Sequence, residues 1–158
     1  MKVRDVMANQ VVTCRSETSL AAAGALMWEH DCGLLPVVSE SGKLAGVITD
    51  RDICIALSTK CKPSSEITLG ELIRETAFVC APDDDIHVAL KMMSREKIRR
   101  LPVVDSEGGI VGILSINDII RRAEKSDNKR PGISYDDVVR TLQAICAHPT
   151  VTHHANAA

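Results

Sequence analysis

Shifted on itself by 66 residues, this sequence aligns positions 3 to 57 with 69 to 123 without a gap, and eleven of the 55 pairs are identical. Eight of the eleven crowd into one stretch. There Leu35-Pro36-Val37-Val38, Gly42, Gly46, Asp52 and Ile53 stand opposite Leu101-Pro102-Val103-Val104, Gly108, Gly112, Asp118 and Ile119. Self-similarity at a fixed spacing marks one supersecondary unit used twice, and a unit this short buries its apolar faces only by packing on its copy.

Each copy reads in the same order. A short apolar strand (Val11 to Cys14; Ala77 to Cys80) leads into polar capping residues, Ser16 to Ser19 and Asp83 to Asp85, and then a helix. Leu20, Ala23 and Met27 in one helix, about Ser19 to His30, and Ile86, Ala89, Leu90 and Met93 in the other recur at amphipathic spacing. An aliphatic strand (Leu34 to Val38; Arg100 to Val104), a glycine-containing turn and a second strand (Leu44 to Thr49; Ile110 to Ser115) make a hairpin, followed by a helix over about Asp50 to Leu57 or Asn117 to Glu124. The expected fold is therefore α/β of the α+β type: a tandem pair of β-α-β-β-α units related by a pseudo-twofold axis, with their sheets covering one another. The units are expected over residues 1–59 and 66–125. Thr59 to Ser65 forms a polar linker between them, with Pro63 to stop a helix. Residues 126–158 supply a second linker, a helix over Tyr135 to Ala147 with Val138, Val139, Leu142, Ile145 and Cys146 on one face, and a disordered tail. That helix is expected to dock on its own core or on a partner. Histidines 148, 153 and 154 could meet a metal, but three histidines in a floppy end are expected to have no such role.

Composition narrows the function. Aromatic residues are only 2% of the chain and the net charge is −2, so neither stacked single-stranded bases nor a polyanionic partner is expected. No window has the run of apolar residues needed to span a membrane, and Met1-Lys2-Val3-Arg4-Asp5 lacks a signal peptide's apolar stretch, which points to the cytoplasm. The six cysteines contain no C-x-x-C pair and four sit in aliphatic segments, so they are expected to be reduced and mostly buried, without a structural zinc site. His30, His87 and Cys32 have no visible third group to orient them, and no enzymatic activity is expected.

Chemistry is concentrated where each hairpin runs into its second helix. Gly46-Val47-Ile48-Thr49-Asp50-Arg51-Asp52 and Gly112-Ile113-Leu114-Ser115-Ile116-Asn117-Asp118 share the pattern G-h-h-[ST]-x-x-D. Glycine in the strand admits a ligand or a neighbouring backbone, the hydroxyl can donate to a phosphate oxygen, and the acid can accept from two adjacent ribose hydroxyls. Free amides at the helix start would favour a phosphate. The same residues equally serve as an N-cap and a third-position acid that stabilise a helix with no ligand, and duplication transmits capping as readily as binding.

L-P-V-V, the glycine turn, the heptad and the tandem arrangement together resemble a cystathionine-β-synthase (CBS) domain pair, over residues 3 to 123. The resemblance implies a non-catalytic regulatory module, frequent homodimerisation, and adenosine-containing ligands in clefts between the repeats. Carried over, it implies that Asp52 and Asp118 hold ribose hydroxyls and that Thr49 and Ser115 reach ribose or phosphate, with Gly112 beside the ligand and adenine against aliphatic strand backbone. Lys97-Ile98-Arg99-Arg100-Leu101-Pro102-Val103 is similar to a K-I-H-R-L-P-V run in AMP-responsive members of the family, where the basic pair meets phosphate. Strand alternation sends Arg99 and Arg100 to opposite faces, and Arg100 is the better match. Repeat one has Cys32-Gly33-Leu34 at these positions, without a cation, so two unequal clefts are expected, the stronger at Ser115, Asp118 and Arg100. The expected function is adenosine-nucleotide sensing, AMP first, with ADP, ATP or S-adenosylmethionine as substitutes. No cofactor is required, and the signal would pass to a separate, unknown target protein. The alternative is a ligand-free dimerisation scaffold: both heptads are complete, which favours binding, whereas the missing cation favours the scaffold.

Overall fold

The structure, a computed structural model, describes residues 1–73, 77–125 and 132–147. Along the chain run β1 (Cys14–Arg15), α1 (Leu20–Glu29), β2 (Leu34–Val38), β3 (Leu44–Thr49), α2 (Asp50–Thr59), α3 (Ile86–Glu96), β4 (Arg100–Val104), β5 (Ile110–Ser115), α4 (Ile116–Arg122) and α5 (Tyr135–Cys146). Strands β1, β2 and β3 form one sheet and β4 and β5 another. The leading strands are shorter than expected from Val11 and Ala77. The first begins only at Cys14, paired parallel to Val37, and the second is reduced to a bridge from Cys80 to Val103. Apolar composition drew the longer strands, but the residues ahead of the two cysteines find no sheet partner.

Local chemistry explains the helices. Ser19 Oγ accepts from the Ala22 amide to start α1, whose Leu20, Ala23 and Met27 are buried. Asp85 accepts from the His87 amide to start α3, which buries Ile86, Ala89, Leu90 and Met93. Both helices are followed by a residue in the left-handed region, Asp31 (φ 47°) and Lys97 (φ 55°). The hairpins repeat as closely. Leu34 pairs with Thr49 as Arg100 pairs with Ser115, both registers break after Val37 or Val103, and both turns place a glycine at positive φ, Gly42 at 78° and Gly108 at 83°. The duplication seen in the sequence is thus a duplication of backbone conformation.

The repeats are coupled by exchange of their leading segments. Val3 and Val6 lie in the core of the second repeat, with Leu101, Val103, Leu114 and Ile119, while Ile67 and Leu69 lie in the core of the first, with Leu20, Leu35, Val37 and Ile48. The backbone follows: Val3 N–H donates to Asp84 O (3.0 Å) and Ala8 exchanges hydrogen bonds with Ile113 (2.9 and 3.0 Å), while Leu20 N–H donates to Ile67 O (2.8 Å) and Leu69 N–H to Thr18 O (2.9 Å). The buried residues form two clusters, each completed by the leading segment of the other repeat. Each fully buried leucine or isoleucine contributes about 1.5–3 kcal/mol, so swapping these segments ties the two clusters together energetically.

Helix α5 docks on this chain's own second repeat, against α3, with Val138 and Thr141 buried and Leu142 and Ile145 packed against the cluster. Val139 and Cys146, expected on the same face, are exposed. The contact row turns out to be 138, 141, 142 and 145, and Thr141 enters it because its hydroxyl is satisfied within the helix by Asp137 O at 2.8 Å. Pro149 and histidines 148, 153 and 154 lie outside the described residues.

Candidate ligand clefts at the strand-to-helix junctions

Each heptad folds into the same junction. Thr49 ends β3 and caps α2: its Oγ1 accepts from the Asp52 amide (3.2 Å), and Asp52 Oδ2 accepts from Thr49 N–H (3.0 Å) and from Oγ1–H (2.6 Å). Ser115 and Asp118 reproduce the arrangement at α4, at 3.2, 3.1 and 2.5 Å. Both copies are closed capping boxes, so the capping role of these four residues is realised in full. The second carboxylate oxygens differ. Asp118 Oδ1 accepts from Arg121 Nη2 at 2.8 Å and its side chain is 15% exposed, whereas Asp52 is exposed and its Oδ1 has no partner among the described residues, position 55 being an isoleucine. Asp52 thus has lone pairs free to accept from a diol, and Asp118 must release Arg121 to do the same.

The helix-start amides are less free than expected. Arg51 N–H donates to Asp50 Oδ1 (2.7 Å), Ile116 N–H to Arg99 O (2.9 Å), and the Asp52 and Asp118 amides to their caps. An anion at these junctions therefore depends on side-chain cations more than on backbone donors. Gly112 is occupied by the chain itself: a methyl group there would stand 2.6 Å from Met7 Sδ and 3.0 Å from Ala8 O. Of the two approaches a strand glycine permits, it serves that of a neighbouring backbone.

Arg99, which precedes β4, is exposed, and Arg100, its first residue, is half-buried. Arg100 starts β4 beside Ser115, yet its guanidinium extends into the first repeat. A methyl group on Gly33 would lie 3.4 Å from both terminal nitrogens of Arg100 and 2.8 Å from Asp50 Oδ2. Gly33 precedes β2, and Asp50 opens α2. One cation from repeat two thus stands beside Gly33 and Asp50 of the first copy, whose own residue at the position of Arg100 is Leu34. Sequence reading missed Gly33 and Asp50. The signal was available in the alignment, which sets Gly33 opposite Arg99 and so leaves a space where the second copy carries a side chain.

Elsewhere, a cavity of about 230 Å³ lies between the repeats, lined by Leu44, Ala45, Gly46, Ala77, Val79 and Val104 with the Gly108 turn. It lies toward the start of β3, away from Thr49. Burial pushes the Cys80 thiol up to about 12, with Asp84 adding to the shift, and burial followed by Cys32 raises Cys14. Cys54, Cys61 and Cys146 are exposed, so the cysteines are not mostly buried: helices α2 and α5 turn toward solvent the faces that carry two of them. Among the described residues no three metal-ligating side chains cluster, and no helix is long and apolar enough to cross a membrane.

Comparison with known proteins agrees with this architecture. The CBS domain family matches twice, over residues 3–59 and 69–125. The chain is 36% identical over 146 residues to hypoxic response protein 1 of Mycobacterium tuberculosis, covering 91% of this chain and 93% of that protein. It is also 40% identical over 119 residues to a homoserine O-acetyltransferase of Methanococcoides burtonii, of which it spans only 23%. Among solved structures, the CBS domain pair of protein MJ0100 in complex with 5'-methylthioadenosine and S-adenosyl-L-methionine superposes with a TM-score of 0.70 at 31% identity, covering 77% of this chain and 94% of that one. CBSX2 in complex with AMP gives 0.67 at 27% identity, covering 76% and 93%. With the family matched on both repeats and the junctions built alike, this chain belongs to the CBS domain family, as a tandem pair.

Proposed function

We propose that this protein is a non-catalytic regulatory module that binds an adenosine nucleotide, AMP first and ADP, ATP or S-adenosylmethionine in its place, and reports occupancy to a separate target protein. The observation that carries the reading is the meeting of Arg100 with Gly33 and Asp50 beside the Thr49–Asp52 junction. It sets a phosphate-recognising fork near the residue that opens α2, two positions before Asp52, whose Oδ1 has no partner among the described residues. The ligands of the two solved CBS pairs, AMP in one and two adenosine derivatives in the other, support the adenosine class. Thr49, Asp52, Ser115 and Asp118 serve ribose and phosphate, Gly112 shapes the second junction, and Arg100, with Arg99 nearer solvent, supplies positive charge. A cytoplasmic homodimer whose inter-module angle follows occupancy completes the reading.

Isothermal titration with AMP, ADP, ATP and S-adenosylmethionine tests it. Saturable binding to one of them is expected, and Asp52→Ala and Asp118→Ala should each weaken it about tenfold or more through loss of charge-assisted ribose contacts. The capping boxes favour one second reading, a ligand-free dimerisation scaffold, because the acids already have a structural task. Silence from all four ligands, with a dimer in light scattering, would select the scaffold.

A further inference from the structure

Helix α5 has no counterpart in the first repeat, and between it and α3 lies a cavity of about 440 Å³. Buried Leu90 and Thr141 line it, with Lys91 and Arg95 from α3 and Arg140 from α5. Asp137, the acid on its wall, closes the capping box of α5: its Oδ2 accepts from Ser134 N–H (3.0 Å) and Oγ–H (2.6 Å), and its Oδ1 has no partner among the described residues. His87 stands between the two helix starts, 2.9 Å from Asp85 Oδ1 and 3.6 Å from Asp137 Oδ2. Arg95 is paired through Nε with Glu96 and keeps its terminal nitrogens, while Lys91 and Arg140 form no ion pair among the described residues.

The internal repeat supplies the comparison that separates these cations from the needs of the fold. His87, Lys91 and Arg95 align with Ala21, Ala25 and Glu29 of α1. The same helix in the first copy therefore folds with no cation at any of the three positions. Only the copy that carries α5 has them, and α5 brings Arg140 to the same cavity. We infer that this cavity is a second binding site, separate from the strand-to-helix junctions, for a small phosphorylated molecule. Its phosphate lies between Lys91 and Arg140, from opposite walls, and its apolar part lies over Leu90 and Thr141. A guanidinium and an ammonium contributed by the two helices that line the cavity suit a dianionic phosphate, and a cavity of this size takes a ligand of metabolite dimensions.

The test uses the full chain, saturated beforehand with whichever nucleotide it binds, so that the junctions are occupied; if it binds none, the same titration runs on the free protein. Phenyl phosphate is titrated in at constant ionic strength and followed by amide chemical shifts. Saturable shifts confined to α3 and α5 are expected. The exposed pair Lys91→Gln and Arg140→Gln, combined, should weaken binding about tenfold or more while leaving nucleotide affinity unchanged. Inorganic phosphate should shift the same amides more weakly, since it lacks the apolar part. Shifts absent from α3 and α5, or a double variant that folds and titrates like the parent, would overturn the proposal. Shifts at the junctions alone would overturn it too, and leave the nucleotide reading standing.

Discussion

Replacing Arg100 with alanine tests the binding role proposed for the inter-repeat junction apart from its structural role. The guanidinium has no carboxylate partner within ion-pair distance among the described residues, and the side chain is half-buried, so the folded state loses packing of the aliphatic stem and little else. A cost of about 1 kcal/mol or less in urea unfolding is expected. Binding should respond far more. A charge-assisted contact from guanidinium to phosphate contributes about 1.5–3 kcal/mol, which is roughly 10- to 150-fold in Kd. Two companions bracket the result. Arg99→Ala removes an exposed neighbour just ahead of the strand and should change AMP affinity about threefold or less. Gly33→Ala inserts a methyl group 2.8 Å from Asp50 Oδ2 and 3.4 Å from the Arg100 nitrogens. The groups it meets are the ends of side chains, which can swing away, so the fold should tolerate it while AMP affinity falls to an intermediate value. Calorimetric titration with AMP, run beside unfolding curves of the same preparations, reads both quantities. The reasoning is refuted if Arg100→Ala binds within about twofold of the parent, or if Arg99→Ala loses as much.

Three further outcomes follow from the fold. Gly112→Ala drives a methyl group to 2.6 Å from Met7 Sδ and 3.0 Å from Ala8 O, so it should cost about 1–3 kcal/mol in urea unfolding and speed exchange of the Ala8 amide; an unchanged midpoint would mean that the leading segment is not seated on β5. With Cys80 pushed up to about 12 and Cys14 also raised, a disulfide reagent at pH 8 should label exposed Cys54, Cys61 and Cys146 first, and equal labelling of Cys80 would contradict its burial. Asp137 is held below its ordinary value near 3.8 by the Ser134 hydroxyl above all, against some desolvation, with the Ser134 amide and His87 helping. A depressed folded-state value stabilises above the unfolded value and is lost as pH falls through the folded one, so α5 should loosen below about pH 4, read by hydrogen exchange of its amides; a Ser134→Ala variant should lose that pH dependence.

Much of this molecule was legible in one dimension. The repeat, the hairpins and α1 and α3 follow from local signals that reinforce one another: apolar spacing, capping oxygens, and glycine where a turn must take positive φ, as at Gly42 and Gly108. The acids at positions 52 and 118 were legible for the same reason, because a hydroxyl and an acid three residues apart close a box whatever surrounds them. Where local signals depend on a partner, the reading drifted. The segments before Cys14 and Cys80 look like strands but have nothing to pair with, and of the single apolar face expected on α5 contact with α3 keeps Val138, Leu142 and Ile145 but not Val139 or Cys146.

Tertiary structure alone decided which segment serves which core and where the Arg100 guanidinium lies. Val3 and Ile67 are apolar in any arrangement, and only the packed pair shows that each belongs to the other repeat. Repeat one was read as lacking a cation because Cys32-Gly33-Leu34 stands where the other has Ile98-Arg99-Arg100, but the Arg100 guanidinium reaches across to Gly33. Sequence spacing reports neighbours along a helix or strand, whose geometry is set within a few residues. Proximity across a pseudo-twofold axis depends on how two finished units pack, and no local period encodes it.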